Sequence, residues 1–119
     1  MTDLPKAWDG EQVGKWLARR LEAARLDQAA ADRRGYAAQD DYDKAAAEEW
    51  VCRALIAADC ANDQAALAKR VKALIAQDDY PVTGIYDDAK FERHVRGHLR
   101  KLAKMIKANE GFEKTLRYQ

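Results

Sequence analysis

The chain has 119 residues, enough for one domain and too few for a second of any size. Leu, Ile, Val and Phe together number only 21, yet 21 bases against 20 acids leave none of the uncompensated charge that keeps a chain disordered. Alanine takes up the difference with 24 copies, and 48% hydrophobic with 34% charged residues at a net charge of +1 excludes collagen-like, mucin-like and wholly disordered classes.

Ala, Leu, Lys, Arg, Glu and Gln dominate, and prolines occur only at 5 and 81, so the elements are predicted to be helices. The first spans 10–34. Asp9 is its predicted cap with Gln12 three residues on, Val13, Leu17, Leu21 and Ala24 form its apolar stripe, and Gly35 stops it. The second is expected over 36–60. Its early Asp40, Asp41 and Asp43 suit the positive end of a helix dipole. From Trp50 to Cys60 the sequence WVCRALIAADC carries charge only at Arg53 and Asp59, which predicts a helix enclosed by its neighbours, with Arg53 paired to Glu49.

The third helix is predicted over 63–77, capped by Asn62 or Asp63, with Leu67, Val71, Leu74 and Ile75 on one face. Residues 78–87 then form a long connection whose Tyr80, Val82, Ile85 and Tyr86 should pack it down, with a turn at Thr83-Gly84. The fourth helix, 88–109, opens at Asp87, with Tyr86 and Phe91 as a hydrophobic staple. Gly111 is its stop, and Phe112, Leu116 and Tyr118 make a short helical tail. Long helices with short connections give an all-α, single-domain bundle of four main helices.

The charge pattern of the fourth helix is the most structured feature. Between Ala89 and Asn109 stand seven bases, Lys90, Arg93, Arg96, Arg100, Lys101, Lys104 and Lys107, and one acid, Glu92. At about 100° per residue, Arg93, Arg96, Arg100, Lys104 and Lys107 fall within roughly 80° of arc. Phe91, Val95, Leu99, Leu102, Met105 and Ile106 take the opposite side. The whole chain is polarised in the same sense: residues 1–63 hold 9 bases and 13 acids, residues 64–119 hold 12 and 7. The seven bases are the candidate partner-binding residues, unless acids of the first two helices neutralise them.

No catalytic constellation is legible. There is no serine, and six scattered glycines form no phosphate-cradling motif. His94 and His98 have a spacing that can place two imidazoles on one metal, but no third ligand follows nearby, so a packed, hydrogen-bonded pair is expected and no metal or cofactor. Asp41 and Asp43 imitate the start of a calcium loop, but Ala45 and Ala46 stand where a ligand and a glycine belong. Cys52 and Cys60 are eight residues apart, about 12 Å along one helix, too far to bridge. Two reduced thiols, no apolar run of the roughly 18 residues a membrane span needs, and no secretory leader point to a cytoplasmic protein.

The expected function is that of a small non-enzymatic interaction protein. It docks its basic helical face on an acidic protein or nucleoprotein partner, as an inhibitor or adaptor of nucleic-acid machinery. The alternatives are direct, sequence-tolerant DNA or RNA binding by the same helix, or a homo-oligomeric structural subunit. Trp8, Trp16 and Tyr118 are candidate aromatic anchors, and Trp50 is expected in the core.

Overall fold

Aspartates start three of the helices. Asp9 accepts a hydrogen bond from the Gln12 amide at 3.1 Å, Asp63 from Ala66 at 3.2 Å and Asp87 from Lys90 at 3.1 Å. Each bond satisfies an N–H that the first helical turn leaves without a partner. The computed structural model describes residues 8–81 and 87–108. Its helices are α1 (Gly10–Arg34), α2 (Gln39–Ala58), α3 (Gln64–Ile75) and α4 (Asp88–Ala108), with no strand among the described residues. This is the all-α bundle the sequence predicts.

Several boundaries differ from expectation. Gly35 at φ 79° ends α1, a 3-10 turn over Tyr36–Ala38 makes the corner, and α2 therefore begins at 39 rather than 36. Asp59 at φ 50° turns the chain out of α2, so Cys60 lies beyond it. The third helix is shorter at both ends, because Asp63 is its cap and Ala76 its terminus. The Tyr86 staple, the Thr83-Gly84 turn, the Gly111 stop and the tail with Phe112, Leu116 and Tyr118 lie outside the described residues.

The pairing of the helices follows from named contacts. Arg20 meets Glu48 and Arg34 meets Asp41, so α1 and α2 are antiparallel. Asp40 meets Lys90 and His94, and the Lys44 carbonyl meets His98, so α2 and α4 run parallel. Between them in sequence, α3 is the return stroke along α4: Gln64 donates to the Ile106 carbonyl at 2.8 Å and Arg96 to the Gln77 carbonyl at 3.0 Å. In space the order is α1, α2, α4, α3, with extents of 43 × 34 × 20 Å.

Burial explains the arrangement. Phe91, Val95, Leu99, Leu102 and Ile106 of α4 recur every three or four residues and are buried with Val51, Leu55, Leu67, Val71 and Leu74. Each such side chain is worth about 1.5–3 kcal/mol of transfer free energy. Met105, predicted on the same floor, is half-buried. On the α1–α2 side Ala24, Ala31, Ala46 and Ala47 are buried, and side chains this small let two axes approach closely. In the 78–87 connection, Tyr80 is buried and its hydroxyl donates to the Leu74 carbonyl at 2.6 Å, tying the chain to the end of α3.

The expectation that Trp50–Cys60 is enclosed on all sides is corrected. Val51, Cys52 and Leu55 are buried, but Ile56 is 42% exposed and Arg53 is exposed. The α1 and α4 helices cover one side of α2 and α3 touches it lightly, leaving its outer side to water. Arg53 pairs with Glu49 at 2.7 Å as predicted. Trp50 is half-buried rather than core, set edge-on to Tyr80 with ring centroids 5.1 Å apart. No helix of the described residues is long and apolar enough to cross a membrane.

Candidate docking surface

The α4 sequence gives three consecutive environments around one rod. Arg93, Arg100, Lys104 and Lys107 occupy its crest, all exposed, spanning about 21 Å along the axis. None of the four makes an ion pair among the described residues. The predicted stripe is otherwise divided between the two flanks.

On the α3 flank, Arg96 turns inward. Its guanidinium lies 5.0 Å from the centre of the Tyr80 ring and donates to the Gln77 carbonyl. On the α2 flank, Lys90 pairs with Asp40 at 3.0 Å, and His94 lies 3.2 Å from the same carboxylate oxygen. Hydrogen bonds from Lys90 and then His94 hold the Asp40 carboxyl below its ordinary range. Lys101 lies about 80° around the helix from Arg93, where it lines a cleft shared by α1, α2 and α4.

The two histidines are each held to α2. His98 points Nε2 at the Lys44 carbonyl, 3.3 Å away, because α2 passes alongside. Burial lowers its pKa, opposed by the nearby Glu48 charge. Among the described residues no three His, Cys, Asp or Glu side chains converge on a metal position. Cys52 is buried, and burial pushes its thiol up to about 12, so almost no nucleophilic thiolate exists at neutral pH. Trp8 donates to the Ala61 carbonyl at 2.6 Å, Trp16 is buried against the core, and Tyr118 lies outside the described residues.

Ion pairing divides the molecule. Lys15, Arg20, Arg25, Arg34 and Arg53 of α1 and α2 are all paired with carboxylates. Among the described residues of α3 and α4 only Lys90 has such a lysine or arginine pair. The cause is composition: α1 and α2 together hold eight bases and nine acids, whereas α3 and α4 hold ten bases and two acids. The α3–α4 side therefore presents predominantly positive charge, which attracts anionic groups over a Debye length of about 8–10 Å.

Comparison with protein-family models, with curated protein sequences and with solved structures finds no match for this chain.

Proposed function

We propose that the protein is a small, non-enzymatic interaction module that docks the Arg93–Lys107 crest of α4 on an acidic protein or nucleoprotein surface in the cytoplasm, as an inhibitor or adaptor of nucleic-acid machinery. One observation carries the reading: Arg93, Arg100, Lys104 and Lys107 form an exposed row without ion pairs among the described residues, on a helix whose Phe91, Val95, Leu99, Leu102 and Ile106 are buried in the core. A row set on a packed helix keeps its spacing, so a partner meets charges already in place. Exposed lysines and arginines contribute little to stability, so holding them unpaired costs the fold little.

The test compares the wild-type chain with Arg93→Glu/Arg100→Glu/Lys104→Glu, first confirming equal melting temperatures. Capture from the native host should recover a partner on the wild type alone, and purified partner should bind with an affinity that falls as salt rises. Partner binding undiminished by the reversal refutes the reading. Direct duplex binding, with a log–log salt slope of about −3.6 for four neutralised phosphates, would instead assign the crest to nucleic acid itself.

A further inference from the structure

A cleft of about 550 Å³ opens where α1 and α4 both lean on α2, within the roughly 300–1,000 Å³ typical of small-molecule sites. Two small residues, Ala30 on α1 and Ala45 on α2, belong to its wall. Its apolar lining is Met105, which is half-buried, with the more deeply buried Trp16, Val51 and Leu102 behind it.

The charges around it are unequal. Glu48 is bound by Arg20, and Asp41 by Arg34. Lys44 and Lys101 are exposed and make no ion pair among the described residues, against Asp27 as the remaining acid in the lining. The cleft thus sets an apolar wall beside the neutralised Arg20–Glu48 pair and a cationic margin.

We propose that the cleft binds a small amphipathic organic anion, with an apolar body over Val51, Leu102 and Met105 and a carboxylate-type head at the margin formed by Lys44 and Lys101. Charge selects the head and the alanine-walled trough admits the body. An amphiphile of opposite charge meets two lysines and is rejected. The site is independent of the α4 crest, because Lys101 and Arg93 point about 80° apart.

The experiment titrates the full chain with dodecanoate below its micellar concentration, read by tryptophan fluorescence and by the rise in melting temperature that a native-state ligand produces. Saturable one-to-one binding is expected, with none for dodecyltrimethylammonium. Lys101→Glu should weaken it by about tenfold or more, the scale of one charge-assisted contact, and Ala30→Phe should weaken it by filling the trough, while Arg93→Glu leaves it unchanged. Lys101 is exposed, so its variant keeps the test decisive should Ala30→Phe disturb folding. Equal binding of the cationic amphiphile, wild-type affinity in Lys101→Glu, or no saturable binding up to about 1 mM overturns the proposal.

Discussion

Arg20 grips both carboxylate oxygens of Glu48 across the α1–α2 contact, with Nη2 at 2.8 Å from Oε1 and Nε at 3.1 Å from Oε2. The side chains are only 27% and 19% exposed, and the Glu48 hydrogen bonds are the largest cause of the raised Arg20 pKa. Removing one partner leaves a charge stranded near the core. Glu48→Gln should therefore cost about 1–3 kcal/mol in urea unfolding, and Arg20→Met/Glu48→Leu should recover most of that loss, because a paired charge can be replaced by apolar packing.

The crest and its flank should respond differently to charge reversal. Arg100→Glu and Lys104→Glu change nothing that the fold uses, so each should shift stability by no more than about 0.5 kcal/mol. Arg96→Glu loses the Tyr80 ring contact and the bond to the Gln77 carbonyl, and should cost about 1–2 kcal/mol. Thermal denaturation of the three single variants checks this.

Stability should fall toward acid in separable stages. The folded state holds the His98 pKa below 6.5, so as pH drops through 6.5 the unfolded chain takes up the proton first and stability declines. The groups around that ring include Glu48, whose charge favours the proton, and Lys44 and His94, whose charges oppose it. Glu49 and Asp40 are held below their ordinary 4.5 and 3.8, so the stability they add is present above those values and is lost as pH falls through them. Melting temperatures from pH 7.5 to about 2 should show both declines, and His98→Gln should abolish the first alone.

Two helical glycines predict opposite outcomes. A Cβ at Gly10 would collide with the Cα of Asn62, where α1 begins against the α2–α3 turn, so Gly10→Ala should destabilise through backbone displacement. At Gly97, exposed on α4, the added methyl meets nothing within 4 Å. Gly97→Ala should gain about 0.5–1 kcal/mol from helix propensity, measured as a higher urea midpoint.

Local chemistry was readable from the sequence, and spatial adjacency was not. The Asp9, Asp63 and Asp87 caps, the Gly35 stop and the α4 floor follow from residue type and spacing over one or two turns. A helical wheel places Arg96 and Lys101 on a rod, but the Tyr80 ring and the α1–α2 wall that receive them come from distant parts of the chain. The same limit explains Ile56: apolar composition signals a buried helix, yet only the neighbours decide which of its sides are covered. The cleft left no signature at all, since its alanines look like those elsewhere in the chain.

The parallel run of α2 beside α4 sets an order of events during folding. The seam joins Asp40 to His94 and Lys44 to His98, each 54 residues apart in the chain, and closing a loop that long is entropically slower than forming the adjoining α1–α2 hairpin. The hairpin should belong to the nucleus and the seam to the late, downhill stage. Trimming the hairpin contact, as in Ala31→Gly, would chiefly retard refolding, whereas Val95→Ala would chiefly hasten unfolding, so a chevron plot distinguishes the two.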